Sequence, residues 1–155
     1  MRKSRTLAVC VVTIGVVALI VLITGAIQIS LPGGSPSYAP LVSVSKSSCV
    51  RPAGFILIIA DLTGFNDSIG HGAPFHPWPI VRVQQGQVVR FLVCNTDLTQ
   101  AHGFAITYYF DAGVPIEPGD AYQIVFTATQ AGTFTIYCNI FCTIHIYMRG
   151  QLIVS

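Results

Sequence analysis

Charged residues are scarce in this 155-residue chain, where Lys, Arg, Asp and Glu together make up 9% of the sequence. Three of the eight basic residues, Arg2, Lys3 and Arg5, lie at the amino terminus, and the others are slightly outnumbered by six acidic residues. The chain therefore has no basic stripe and no basic helix, so a nucleic-acid-binding role has no electrostatic support. A hydrolase is also unsupported, because the few carboxylates lie in predicted turns and no Ser-His arrangement stands out.

The sequence has no internal repeat, and only its first apolar segment has the character of a helix. Hydrophobic residues make up 52% of the chain. An apolar, charge-poor composition is typical of a membrane segment or of an all-β domain with a thick core, and we expect both here. From Phe55 onward, short apolar or alternating segments are separated by turns that contain Gly and Pro, as in an antiparallel β-sandwich. The predicted strands cover residues 55–60, 80–83, 87–94, 102–109, 121–128, 133–138 and 151–154.

An uncharged apolar run extends from residue 7 to residue 29 and is long enough for a helix to cross the hydrocarbon core of a bilayer. Because the basic residues of segment 1–6 should remain in the cytoplasm, the rest of the chain is predicted to lie outside it. A cleaved signal peptide is the alternative, with small residues at 35–39, but the run is longer than a usual signal core. Residues 30–48 are rich in Ser, Pro and Gly and predict a flexible spacer between this transmembrane helix and the domain.

Two cysteines, a histidine and a methionine lie within eleven residues, in the pattern C-x3-C-x2-H-x2-M. These residues are Cys138, Cys142, His145 and Met148, and we call the segment 138–148 the donor loop. Thiolate and thioether are soft ligands and imidazole binds copper well, so this set favours copper over zinc, calcium or magnesium. The alternative is a disulfide or a pair of buried thiols beside a core methionine, which accounts poorly for so many soft ligands in one short loop.

A second histidine is expected to join the donor loop from a distant strand. His102 begins the predicted strand 102–109, and Cys138 ends the predicted strand 133–138. If these strand ends lie at the same pole of the sandwich, the donor loop and His102 converge there, where the sheets hold loop ends rigidly. His71 and His76 are further candidates, but their Pro-rich loop is more typical of surface histidines.

The remaining cysteines are Cys10, which lies within the apolar run, and the pair Cys49 and Cys94. Cys10 is expected to be an inert packing residue. An oxidising compartment would allow Cys49 and Cys94 to form a disulfide, and two separate buried thiols are the alternative. The sequence leaves both possibilities open.

The region 55–155 resembles the cupredoxins, and most closely the CuA domain of subunit II of haem-copper cytochrome oxidases. The resemblance rests on the sequence around His102-Gly103-Phe104, on Ala131-Gly132-Thr133-Phe134 and on the donor loop with Gly150 after it. It implies a cupredoxin-like Greek-key β-sandwich over residues 49–155. It also implies a one-electron-transfer function, in the subunit through which electrons enter a terminal oxidase of the cell membrane. The implied partners are subunit I or another redox protein and a small electron-donor protein.

The resemblance also implies a ligand set. In that family two coppers share two bridging thiolates, which here would be Cys138 and Cys142. By the same resemblance His102 and His145 would be the terminal ligands. The weak ligands would be Met148 and the backbone carbonyl of Ile140. No residue of this chain is expected to be catalytic in itself.

The donor loop departs from the family pattern in its length. The family has three residues between the second cysteine and the histidine, whereas this chain has two, Thr143 and Ile144. The segment 142–148 alone has the C-x2-H-x2-M spacing of amicyanin-like single-copper proteins. A mononuclear blue site with two histidines, one cysteine and axial Met148 is therefore the alternative to the dinuclear centre.

Two further departures concern partners. Ile140 stands where the family commonly has a Glu that helps to hold a divalent ion against subunit I, and Trp78 is the only tryptophan where the family has a Trp-rich patch. A membrane-tethered copper carrier is a third hypothesis. It ranks lower, because copper carriers favour exposed, exchangeable sites with few ligands. This chain offers more candidate ligands than the transfer of copper to a partner needs.

Overall fold

Two five-stranded sheets contain about half of residues 41–155, the part of the chain that the computed structural model describes. In spatial order, the first sheet contains β1 (Ser43–Ser47), β8 (Ala121–Thr127), β5 (Val88–Asn95), β2 (Ile56–Asp61) and β3 (Gly64–Phe65). The second contains β4 (Ile80–Val83), β10 (Arg149–Val154), β9 (Gly132–Tyr137), β6 (His102–Ile106) and β7 (Phe110–Ile116). A short 3-10 helix, His145–Tyr147, lies between β9 and β10. The predicted all-β sandwich is confirmed.

The core lies between the two sheets and is made of aromatic and β-branched side chains. Phe91 and Ile124 of the first sheet and Phe104 and Ile136 of the second are fully buried. The rings of Phe91 and Phe104 meet across the core with centroids 5.6 Å apart. Burial of each such side chain contributes about 1.5–3 kcal/mol to folding, so the sandwich is a firm support for the loops at its ends.

The sandwich is not purely antiparallel, contrary to the prediction from strand spacing. β2 pairs in parallel with β5, and β4 pairs in parallel with β10. The cause lies in the connections, because β4 and β5 follow each other closely along the chain but belong to different sheets. The turn between them carries the chain across the sandwich, so each strand finds its neighbour far away in sequence.

The predicted spacer 30–48 is wrong at its carboxyl end, because Ser43–Ser47 forms strand β1. This strand pairs antiparallel with β8 along its whole length. Lys46 Nζ lies 2.8 Å from a carboxylate oxygen of Asp120, and Gln123 Nε2 donates to Ser47 Oγ at 3.1 Å. β1 is an exposed edge strand, so its side chains carry no apolar pattern, and its pairing depends on the backbone of β8.

Cys49 and Cys94 form a disulfide, which decides between the two possibilities left open by the sequence. The bond ties the segment that follows β1 to the buried carboxyl end of β5.

The predicted transmembrane helix 7–29, the segment 1–6 and most of the spacer lie outside the described residues. Within residues 41–155, no helix has both the length and the apolar character needed to cross a membrane.

Candidate metal centre

The strand order brings His102 and the donor loop to one pole of the sandwich. β6 and β9 are antiparallel neighbours, with Ala105 opposite Tyr137. The start of β6 and the end of β9 therefore reach the same edge, which places His102 beside Cys138. Gly103, the next residue of β6, donates its backbone N–H to Cys138 Sγ at 3.1 Å. The convergence predicted from strand ends is present.

Three sulfur atoms of the donor loop form a buried row. Cys138 Sγ and Cys142 Sγ are 3.5 Å apart, and Cys142 Sγ lies 3.7 Å from Met148 Sδ. Both cysteines are free thiols, and none of the three side chains is more than 5% exposed. The sequence alternative of a disulfide between the two cysteines is therefore absent from this structure.

His145 and the carbonyl of Ile140 lie at the other end of the sulfur row. Nδ1 of His145 is 2.8 Å from the Ile140 oxygen, and that oxygen is 3.2 Å from Cys138 Sγ. Ligand atoms of Cys138, Cys142 and His145 all lie within 4.8 Å of one another. The Cys138 N–H donates to the Met148 carbonyl at 3.3 Å, which closes the base of the donor loop.

His102 is fully buried, and its two ring nitrogens have different surroundings. Nε2 lies 3.2 Å from Oδ2 of Asp97, whereas Nδ1 is buried with no hydrogen-bond partner. A buried polar atom normally has a hydrogen-bond partner. An imidazole nitrogen that has none, and that lies beside a cluster of sulfur atoms, is suited to coordinate a metal. This observation supports His102 as the distant ligand.

The thiols of Cys138 and Cys142 differ in how readily they ionise. Burial opposes ionisation of Cys138, but the neighbouring His102 ring and the hydrogen bond from the Gly103 N–H lower the pKa of its thiol. Burial and the neighbouring charge of Cys138 raise the pKa of Cys142. Cys138 is therefore the more readily ionised ligand, and a metal bound by both sulfurs would displace the proton of Cys142.

Sequence reasoning placed a polar loop at residues 95–100, before β6, but missed its contacts with the candidate ligands. Burial opposes the charge of Asp97, but hydrogen bonds from the side chain and backbone of Thr99 lower the pKa of its carboxyl. Gln100 bonds to Thr143 of the donor loop through its side chain. The one available signal was the Asp-x-Thr turn of Asp97 and Thr99, which by itself indicates only a local turn.

Gly103 is a second residue whose role appears only in three dimensions. A Cβ atom on Gly103 would lie 2.7 Å from the backbone nitrogen of Asn139 and 2.9 Å from that of Ile140. Both distances are too short for a real contact, so only glycine allows β6 to approach the donor loop this closely.

His71 and His76 lie elsewhere and are exposed. The ring of His71 stacks on Trp78 with centroids 4.0 Å apart. Neither histidine belongs to the close group of ligand atoms found within residues 41–155, which consists of Cys138, Cys142 and His145 and does not include His102.

Comparison with known proteins shows which fold this architecture resembles. No protein-family model matches the chain. Dithionite-reduced auracyanin from the photosynthetic bacterium Roseiflexus castenholzii matches 68% of this chain and 99% of its own, with a TM-score of 0.51 and 18% identity. The chain has a cupredoxin fold. A multicopper oxidase matches 72% of the chain and 46% of its own length, with a TM-score of 0.50 and 20% identity. At these identities the similarity is one of fold.

The donors at the pole of this cupredoxin fold suit copper. The candidate ligands are two thiols, a thioether and two imidazoles, all of them soft or intermediate. Copper prefers such ligands, whereas calcium and magnesium prefer oxygen ligands. Their burial excludes water from most of the site, and only His145 is partly exposed among the side-chain ligands.

A cleft of about 270 Å³ reaches this centre. It is lined by Thr107, Thr135, Tyr137 and Arg149 together with Cys138 and His145. Polar side chains beside β9 therefore line an approach to Cys138 and His145.

Proposed function

We propose that this cupredoxin-fold protein transfers single electrons through a dinuclear copper centre of the CuA type. The observation that carries the proposal is the 3.5 Å separation of the Cys138 and Cys142 sulfurs, both free and both buried. Two thiols held this close are arranged to be shared between two metal ions. Bound copper would supply a reversible one-electron couple, and no substrate chemistry is assigned to this chain.

The ligands divide naturally between two metal positions. Met148 Sδ lies next to Cys142, and the Ile140 carbonyl lies next to Cys138 and His145. With His102 and His145 as the two nitrogen ligands, each copper would have one imidazole, two shared thiolates and one weak ligand. This is the arrangement that the sequence resemblance implies, and the close grouping of the Cys138, Cys142 and His145 ligand atoms supports it.

The surrounding structure is suited to electron transfer because it limits rearrangement. β9 and β10 pair directly below the donor loop, with Tyr137 opposite Arg149. Ligands that are already held in place need little reorganisation when the charge of the centre changes, and contacts around the ligands adjust its potential. The centre lies near the surface, because His145 is partly exposed and the side chains of Phe141 and Ile146 are exposed.

A mononuclear blue copper site is the second candidate, favoured by a specific observation. Cys142 Sγ lies 3.7 Å from Met148 Sδ, and only two residues separate Cys142 from His145. Cys142, His145, Met148 and His102 would then form the site, with Cys138 as a buried thiol. Electron transfer would be the function in this case too. A copper carrier is disfavoured by the burial of Cys138, Met148 and His102, because hand-off requires accessible ligands.

We also propose that the protein works outside the cytoplasm, anchored by segment 7–29, as the subunit II-like part of a haem-copper oxidase. The Cys49–Cys94 disulfide supports an oxidising compartment. The partners would be subunit I or another redox protein on one side and a small electron-donor protein on the other. This part of the proposal rests on the resemblance and on the apolar run.

Copper stoichiometry combined with electron paramagnetic resonance of the oxidised full-length protein tests the proposal. Two coppers per chain and hyperfine splitting shared equally by two nuclei are the expected result. One copper with splitting from a single nucleus would establish the mononuclear site. Loss of copper to a mild chelator in both oxidation states would contradict electron transfer and favour the carrier.

A further inference from the structure

The carboxylate of Asp97 is held by both of its oxygen atoms. Oδ1 accepts hydrogen bonds from the Thr99 backbone N–H at 2.8 Å, the Thr99 hydroxyl at 2.7 Å and the Gln100 N–H at 3.3 Å. Oδ2 lies 3.2 Å from Nε2 of His102. Asp97 is only 5% exposed, although carboxylates are rarely buried without specific partners.

The loop that carries Asp97 is itself fastened to the sandwich by Asn95. The Asp97 N–H donates to Asn95 Oδ1 at 2.9 Å. Asn95 Nδ2 donates to the carbonyls of Ile116 at 2.8 Å and Gln100 at 2.9 Å. Rotation of the carboxylate would therefore break its three hydrogen bonds from Thr99 and Gln100, so Oδ2 stays directed at His102.

An ionised carboxylate can only accept, so the proton of this contact belongs to Nε2 of His102. The other nitrogen, Nδ1, is buried and has no hydrogen-bond partner. We propose that Asp97 is a positioning residue, which fixes the His102 ring with its proton on Nε2 and its free nitrogen available as a metal ligand. Metal-binding histidines commonly need such an outer partner. The assignment of Nδ1 as a copper ligand rests on the proposed function, whereas the position of the proton does not.

The substitution Asp97→Asn tests this role because it keeps the size of the side chain but leaves only one oxygen. Three donors from Thr99 and Gln100 compete for that oxygen against one from His102. We expect the amide oxygen to face the loop and the amide NH2 to face His102. Nε2 must then accept, so the ring proton moves to Nδ1, where it blocks coordination.

The chain supplies a matched control in a second Asp-Leu-Thr turn. Asp61 Oδ1 accepts from the Thr63 N–H at 2.7 Å and from the Thr63 hydroxyl at 2.6 Å, as Asp97 does from Thr99. Asp61 has no histidine among its hydrogen-bond partners in the described structure. Asp61→Asn therefore makes the same chemical change in the same kind of turn without touching His102.

The first measurement needs no copper. In the metal-free full-length protein, nitrogen-15 NMR of the His102 ring should show a proton on Nε2 in the parent and in Asp61→Asn, and its loss in Asp97→Asn. A parent ring without a proton on Nε2 would overturn the proposal, even if Asp97→Asn failed to fold. An unchanged Nε2 proton in folded Asp97→Asn would overturn it as well.

The second measurement uses the copper-loaded protein. We expect Asp97→Asn to lose copper to a chelator about 10–100-fold faster than the parent, with an altered visible spectrum, because loss of an outer partner typically weakens metal binding by that factor. Asp61→Asn should match the parent. Parent-like retention and spectrum in Asp97→Asn would refute the positioning role. If the parent itself bound no copper, the proposed function would fail while the NMR result still decided the role of Asp97.

Discussion

Gln100 and Thr143 join two loops that lie far apart in sequence. The Thr143 backbone N–H donates to Gln100 Oε1 at 3.0 Å, and the Thr143 hydroxyl lies 3.0 Å from Gln100 Nε2. Gln100 stands two residues before His102, and Thr143 lies between Cys142 and His145. The hydrogen bonds between Gln100 and Thr143 therefore link the segment that carries His102 to the donor loop.

Removal of the hydrogen bonds between Gln100 and Thr143 should make the donor loop less firmly held without unfolding the sandwich. We expect Gln100→Ala to lower the free energy of unfolding by about 1 kcal/mol, the usual net contribution of a hydrogen bond. Copper should also be lost faster to a chelator, because the donor loop is less firmly held. Denaturant unfolding and chelator kinetics measure the two effects.

Gln85→Ala is the control for Gln100→Ala. Gln85 also uses its amide to hold a loop, through a bond of 2.9 Å to the Thr129 carbonyl. Its backbone N–H donates to the Ser155 carbonyl, just beyond the end of β10 that is remote from the donor loop. A similar change of copper retention in both variants would show that the link between the loops has no special role.

The two cysteines of the donor loop should both be required if they are shared ligands. We expect Cys138→Ser and Cys142→Ser each to abolish the parent spectrum and to lose at least one copper. Metal analysis and visible absorption measure this. Retention of the full copper content and spectrum by either variant would rule out the dinuclear centre and identify the other cysteine as the single thiolate ligand.

A methyl group at position 103 should push the donor loop away. Because a Cβ on Gly103 would overlap the backbone at Asn139 and Ile140, we expect Gly103→Ala to cost about 1–3 kcal/mol of stability. The copper affinity should fall as well, since the Gly103 N–H contacts Cys138 directly. Thermal unfolding of the metal-free protein and copper titration separate the two effects. Wild-type values for both would mean that the loop relaxes freely.

The disulfide should stabilise the fold without shaping the copper centre. It joins residues 45 positions apart, for which loop-closure entropy predicts about 4 kcal/mol. The double change Cys49→Ala and Cys94→Ala should lower the unfolding free energy by up to this amount and leave the copper spectrum unchanged. Thiol titration of the denatured, unreduced protein provides the check, and it should detect neither Cys49 nor Cys94.

The topology proposed from the amino-terminal segment predicts an accessible domain. Arg2, Lys3 and Arg5 precede the apolar run 7–29, and no comparable basic cluster follows it. Protease added to intact cells or right-side-out vesicles should therefore digest the domain. Protection of the domain in intact vesicles, with digestion after their disruption, would reverse the orientation.

Features that are local in the sequence were predicted well. The donor loop brings Cys138, Cys142, His145 and Met148 within eleven residues, so few backbone angles separate the ligands and their type alone indicates copper. The strands were also readable, because a strand buried on one or both faces must carry apolar side chains. Ile124 and Phe126 of β8 are buried as that pattern requires.

Features that depend on long-range pairing were decided by the tertiary structure. The sequence offered His102 only as a candidate, and the antiparallel register of β6 and β9 places it beside Cys138. The exposed edge strand β1, the parallel pairs and the Cys49–Cys94 bond likewise depend on which backbone lies alongside which. Asp97 carries no signal in the sequence beyond a turn, because its contact with His102 exists only once folding brings the two side chains together in a buried site.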